Sequence, residues 1–306
     1  MKKTGLGFIT IAMGHEKYLR QARILSLSLR RNMPGFPLAI VTDSQSLAAY
    51  ADIIVPANSE IPVGVLHKVF LNKYTPFSET LFIDSDCVVA RPFLKELEQI
   101  RKFDFTPAME RFTPADGKDE YIDDLPATLK LIGGDKYPKF NGGIYFFKDG
   151  ELSSSVFRIA REIHSNYRSY GIKAFDKSGP GEETVFALAL SQLGRLDLYH
   201  DEGRLMRTPT GLKGTIFIDP LGGGCAFERY DGVVFPAICH FAGPYLLSIE
   251  YSLAGYALEH NIAMNDISAQ IRARAQASSV FDRIRRYVGY KIHGVRKRLN
   301  RIKASS

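Results

Sequence analysis

The sequence predicts an α/β fold, a mixed and mostly parallel sheet flanked by helices, with a C-terminal basic amphipathic helical tail. Three observations carry this reading. From Gly5 to Val89, apolar runs of strand length alternate with stretches of helical periodicity. The residues best suited to chemistry fall where those runs end. Positive charge is segregated: from Ile271 to Lys303 eleven Lys and Arg face one acid, Asp282, a charge of +10. With +7 for the whole chain, the rest carries −3.

In order, "GLGFITIAM" is a continuous apolar run, as a strand buried on both faces requires. "EKYLRQARILSLSLRR" sets Leu19, Ala22, Leu25 (or Ser26) and Leu29 on one helical face. "FPLAIVTD" is a second strand ending in Asp43, and "ADIIVP" a short third. "VLHKVFLNKY" predicts a helix ahead of the strand "TLFIDSD". Ligands on such sheets bind beyond the carboxyl ends of the strands, where Tyr18, Asp43, Asp84 and Asp86 lie. A helix over 93–102 and a strand "FDFTPAME" follow, then a polar stretch, 110–139, expected as a long connection over the site. "GGIYFFK" predicts a strand and "SSVFRIAREIHSNYRSYG" a helix capped near Ser153 or Ser154. "GEETVFALALSQLG" is a helix with a glycine stop, and "VVFPAICHF" a late strand ending at His240. No repeat or linker precedes about residue 265, giving a domain over 1–265 and a tail over 266–306.

The three cysteines, Cys87, Cys225 and Cys239, are odd in number and form no CxxC pair. That argues against a disulfide framework or a cysteine zinc site and fits a reducing cytosol. Lys2 and Lys3 before an apolar run imitate a signal peptide, but His15, Glu16 and Lys17 follow without a cleavage pattern. No run approaches the ~20 apolar residues that span a bilayer.

In a strand, side chains two apart face one side, so Asp84 and Asp86 point together. Paired carboxylates hold hard divalent cations, which also bind phosphate oxygens. The alternative is that the two acids cap a turn. His240 is open to two readings, a metal ligand or a histidine hydrogen-bonded at a sheet edge. Asn141-Gly142 is either a hairpin turn or a place where a sugar approaches the backbone. Glu182 and Glu183 are either site residues or acids favoured at a helix N-terminus.

Taken together, these segments resemble the metal-dependent glycosyltransferases of the Rossmann-like GT-A fold. The closest likeness is to family 8, with glycogenin and the bacterial lipopolysaccharide galactosyl- and glucosyltransferases. The resemblance covers roughly residues 6–245 and rests on "TIAMGHEKYLRQARILSLSL", "HKVFLNKYTPFSETLFIDSDCVVARP", "FNGGIYFFK", "GEETVFALAL" and "ICHFAG", in the family's order. It implies a UDP-hexose donor, a glycan or lipid-linked saccharide acceptor, and Mn²⁺ or Mg²⁺ bound by Asp84, Asp86 and His240. It further implies that Ala12 and Tyr18 hold uracil and ribose, that Asp84 also touches the ribose, and that Lys68 contacts nucleotide or sugar. Asn141 would face the donor sugar or the acceptor, with Glu182 or Glu183 beneath the anomeric carbon. The family's diphosphate-gripping Lys after the late His is missing: "HFAGPYLLSIEY" keeps Gly243 only, and Arg207 or Lys213 is the substitute to expect.

A nucleotidyltransferase and a non-catalytic nucleotide- or membrane-binding protein remain as rivals at this point. The former's glycine-rich start is absent, since Gly5 and Gly7 precede the first strand. From Val280 on, Phe281, Ile284, Val288, Ile292, Val295, Leu299 and Ile302 form one helical stripe with basic residues opposite. Such a helix suits an anionic membrane surface, about 1 kcal/mol per basic residue. Nucleic acid, or packing on the body, are its other readings. The combined expectation is a cytoplasmic enzyme of cell-surface polysaccharide synthesis, peripheral on the inner face of a membrane.

Overall fold

The computed structural model describes residues 3, 5–114, 116–175, 179–282 and 284. Its strands are β1 (Leu6–Ile11), β2 (Leu38–Thr42), β3 (Ile53–Pro56), β4 (Glu79–Ile83), β5 (Cys87–Val89), β6 (Phe105–Thr113) and β7 (Tyr137–Lys148). β8 (Met206–Arg207), β9 (Lys213–Asp219), β10 (Gly224–Arg229), β11 (Gly232–Val234) and β12 (Ile238–His240) follow. The helices are α1 (Glu16–Asn32), α2 (Leu71–Tyr74), α3 (Leu94–Ile100), α4 (Leu125–Ile132), α5 (Glu151–Ser165), α6 (Glu182–Gln192) and α7 (Ile249–His260).

A six-stranded sheet ordered β3-β2-β1-β4-β7-β6 forms the centre. β1 to β4 pair in parallel, and β7 runs antiparallel to both β4 and β6. Both faces of β1 and β2 are covered, which is why their sequences are apolar without alternation. One core layer joins Phe82, Tyr145, Phe157 and Phe186 beneath α5 and α6; the other joins Phe8, Leu25, Ile40 and Phe146 beneath α1. Two three-stranded sheets flank this body, β5-β12-β8 and β11-β10-β9.

Several local expectations change. The helix expected over "VLHKVFLNKY" is a 3-10 turn, Val65–Phe70, running into the short α2. α5 is capped at Gly150, not at Ser153 or Ser154. The stretch 110–139 is no bare connection, since it contains the end of β6, all of α4 and the start of β7. The late strand breaks at Pro236, which has no N–H for a ladder, so β11 and β12 belong to different sheets. Asn141-Gly142 makes no hairpin: both lie inside β7, which runs unbroken from Tyr137 to Lys148.

Of the tail, residues 269–282 are helical. Ile271 and Ala275 pack against Leu253, Ala257 and Ile267, while Val280, Phe281 and Ile284 are exposed. The rest of the predicted stripe, Val288, Ile292, Val295, Leu299 and Ile302, lies outside the described residues. No described helix is long and apolar enough to cross a membrane.

Candidate functional site

β4 ends at Ile83, so Asp84, Ser85 and Asp86 form a tight turn into β5 instead of continuing a strand. The turn is pinned on three sides. Asp84 N–H donates to Gly143 O (2.9 Å), Cys87 N–H to Asp84 O (3.1 Å), and Phe241 N–H to Asp86 O (3.0 Å). The last bond, with the antiparallel pairing of His240 opposite Cys87, brings together residues more than 150 positions apart. Asp86 Oδ1 lies 2.9 Å from His240 Nε2, and Asp84 Oδ2 lies 4.0 Å from the same nitrogen.

The imidazole is oriented by its other nitrogen. His240 Nδ1 sits 2.6 Å from Asn141 Oδ1 and 3.1 Å from Thr208 Oγ1. Asn141 Oδ1 also accepts from Gly143 N–H (3.0 Å), which fixes that atom as the amide oxygen. An amide oxygen can only accept, so Nδ1 carries a proton; Nε2 then presents a lone pair when the ring is neutral and a second proton to Asp86 when it is charged. With the ring neutral, the buried Asp86 Oδ1 has no hydrogen-bond donor; with the ring charged, Nε2–H supplies one at 2.9 Å. Burial works against charge on His240, but Asp86, with Asp84 beyond it, outweighs that and raises the imidazole above its usual value. Burial pushes Asp86 up as well, and the imidazole more than reverses it.

Asp84 has a different partner. Lys68 Nζ reaches Asp84 Oδ2 (2.6 Å), Glu182 Oε1 (2.7 Å) and Gly142 O (3.2 Å). Those acceptors use all three ammonium hydrogens, so Lys68 braces the site and has none to spare for nucleotide or sugar. This differs from the ligand contact expected of it. Burial opposes the Lys68 charge, yet the two carboxylates hold it well above the usual lysine range. For Asp84, burial outweighs Lys68, and nearby Asp86 adds to the rise. Glu183 accepts from Gly142 N–H (2.6 Å), and burial, with Glu182 beside it, pushes its carboxyl to about 7.

These approaches explain the paired glycines of "FNGG". A Cβ on Gly142 would stand 2.3 Å from Glu182 Oε1, and one on Gly143 would stand 2.8 Å from His240 Nδ1. Neither position has room for a side chain.

A cleft of about 350 Å³ opens over the turn. Ile11, Met13, Tyr18, Val63, Lys68, Asp84, Asp86 and Phe175 are among its walls. Ala12 is not: it is buried in the core, with its N–H on Val41 O. Asp43 stands beside the cleft, its carboxylate taking the Gly14 N–H (3.1 Å). Gly243 (φ 62°) opens the 3-10 turn Gly243–Leu247, just after β12. Arg207 is tied to Asp201 and Glu110, and Lys213 to Glu228, so neither stands ready as the missing diphosphate cation. Cys87 went unmarked in the sequence although it follows Asp86 directly. Its Sγ, an Asp86 oxygen and a His240 nitrogen lie within 4.8 Å of one another.

The molecule overlays on a structure of an active-site mutant of LgtC with a TM-score of 0.50 and 16% identity, over 78% of this chain and 88% of that one. The chain has the GT-A fold. The galactosyltransferase LgtC in complex with donor and acceptor sugar analogues gives 0.47 at 17% identity, over 78% and 87%. The bifunctional glycosyltransferase WbbM in its apo form gives 0.47 at 12%, over 78% of this chain and 46% of that one. No protein-family model matches, and no curated protein matches in sequence.

Proposed function

We propose that the chain is a metal-dependent glycosyltransferase that moves a hexose from a nucleotide sugar, a UDP-hexose, to a glycan or lipid-linked saccharide. The observation that carries the reading is the meeting, 2.9 Å apart, of the oriented Nε2 of His240 and Oδ1 of Asp86, a residue of the cleft wall. The donor set fits a divalent cation. Asp84 and Glu182 share one ammonium, Lys68, and the buried Asp86 Oδ1 meets only the imidazole of His240. Imidazole among oxygens favours Mn²⁺ over Mg²⁺. Asp86 and His240 would hold the ion, with Asp84 and Cys87 beside it. When bound, such an ion neutralises the charge that grows on a departing diphosphate.

The chain's own residues supply the rest. Tyr18 and Asp43 on the β1–β2 side, with the backbone near Ala12, take the nucleoside. Asn141 fixes the imidazole, while Glu182 and Glu183 stand at the sugar end on α6. Gly243 offers its backbone near the diphosphate. In the transfer, the bond from the anomeric carbon to the diphosphate oxygen breaks and one to an acceptor hydroxyl oxygen forms. That hydroxyl gives its proton to the departing diphosphate, which leaves with the bonding pair. The domain is taken as 1–265 and the basic tail as 266–306, the tail holding the enzyme on an anionic cytoplasmic membrane face beside its acceptor.

The test is nucleotide release from UDP-, GDP- and CMP-sugars with and without Mn²⁺. Release from a UDP-hexose only with metal, lost in Asp86→Ala while the circular dichroism is kept, is the expected result. Full turnover in that variant refutes the site. For the tail, truncation after residue 270 should abolish sedimentation with anionic vesicles yet preserve release; unchanged sedimentation rejects that role.

A further inference from the structure

Phe175 is a large aromatic left 54% exposed, and it forms part of the wall of the cleft that holds Asp84, Asp86 and Lys68. Its setting is built. Its N–H donates to Gly179 O (2.7 Å). Its side chain lies over Gly181, the residue that starts α6 ahead of Glu182, at the 3.7 Å of ordinary contact for a Cβ there. Its ring meets Tyr121 edge-on, centroids 5.8 Å apart at 65°. Tyr121 is itself anchored, its N–H on Asp119 Oδ1 (2.9 Å) and its carbonyl on Lys173 N–H (2.8 Å).

The position along the sheet decides what such a ring faces. The turn of Asp84 and Asp86 lies at the end of β4, between β1 and β7. Tyr18 comes from α1 on the β1 side, with Lys17 Nζ over its ring at 4.5 Å. Phe175 comes from the segment entering α6, which packs on β7, so it stands across the acidic turn from Tyr18. If the nucleoside lies at Tyr18 and the diphosphate over the turn, the sugar end of the cleft is at Phe175. An aromatic face matches the C–H face of a pyranose.

We propose that Phe175, supported by Tyr121, is a stacking platform for a pyranose ring of the acceptor glycan. The inference rests on the transferase reading, yet its first test needs no turnover. The chain has no tryptophan, so Phe175→Trp places a single reporter at the platform. Its emission should shift saturably with the methyl α- and β-glycosides of galactose and glucose at millimolar concentration. A response to UDP and to none of the glycosides makes the ring a nucleobase platform and overturns the proposal. The second test is kinetic. Phe175→Ala should raise the acceptor KM about tenfold, leave the donor KM for acceptor-free release unchanged, and be rescued by Phe175→Tyr. An unchanged acceptor KM, or an equal rise in the donor KM, overturns it. Absence of release from every sugar nucleotide by the unsubstituted protein defeats the transferase reading alone, since the emission titration still reports on the ring.

Discussion

Replacing Lys68 by methionine tests how the site tolerates its carboxylates. The methionine fills most of the volume of the lysine stem but leaves Asp84, Glu182 and the Gly142 carbonyl without the ammonium that bonds all three. The Lys68 and Glu182 side chains are only 10% and 8% exposed, so water cannot replace the lost partner. Removing one member of such a buried ion pair costs about 3–5 kcal/mol, against about 0–1 kcal/mol for a surface pair. Urea denaturation of the full chain, followed by circular dichroism without divalent metal at pH 7, measures the difference. Adding Glu182→Gln removes one orphaned charge, so the double variant should recover about 1–3 kcal/mol of the loss. The deficit should also shrink towards acid, because the raised Asp84 carboxyl then discharges by taking a proton. A loss below about 1 kcal/mol, insensitive to Glu182→Gln, would show that Lys68 is no brace.

Two further outcomes follow from the same geometry. Glu183 is raised from 4.5 to about 7 in the fold, so the native state holds its proton more tightly than the unfolded chain. Its contribution therefore falls as pH rises from 4.5 to about 7, by about 3 kcal/mol, and is flat above. Glu183→Gln should remove that slope from the urea stability profile, and an unaltered profile refutes the assignment. Asn141→Ala deletes the oxygen that holds His240 Nδ1. Mn²⁺ affinity by calorimetry should drop about 10- to 100-fold, as for loss of a partner behind a ligating imidazole, and unchanged affinity places the ion elsewhere.

The parallel half of the sheet was legible because β1 and β2 are buried on both faces and leave uninterrupted apolar sequence. Helix α1 was legible because Leu19, Ala22, Leu25 and Leu29 recur on the face that packs into the core under the sheet. The Asp84/Asp86 pair was found, though for a partly mistaken reason: a turn, not strand alternation, brings the two acids together. What local pattern could not give were partners set by tertiary approach. Asn-Gly carries hairpin chemistry, yet in β7 its glycines make room for Glu182 and His240. Cys87 looked like an ordinary buried strand residue, which it also is; its neighbourhood with His240 exists only through the β5–β12 pairing. Thr208 carried no signal at all, being one hydroxyl in a polar connection until β8 pairs with β12.

The acidic turn raises a question of charge, since no basic residue lies within "TLFIDSDCVV". The fold answers it unequally for its two members. Asp84 receives a permanent cation, Lys68, whose remaining hydrogens are spent on Glu182 and Gly142. Asp86 receives only an imidazole, whose charge depends on a proton at Nε2, because Nδ1 is committed to Asn141. A second lysine there would fill the place permanently and leave no opening for a metal. An imidazole can give up its proton and turn from counter-ion to ligand, so the two states exchange one cation for another at a single position. On this account His240→Lys should keep the fold and its stability near the original while losing Mn²⁺ binding. His240→Gln, which offers no charge in either state, should be both less stable without metal and weaker with it.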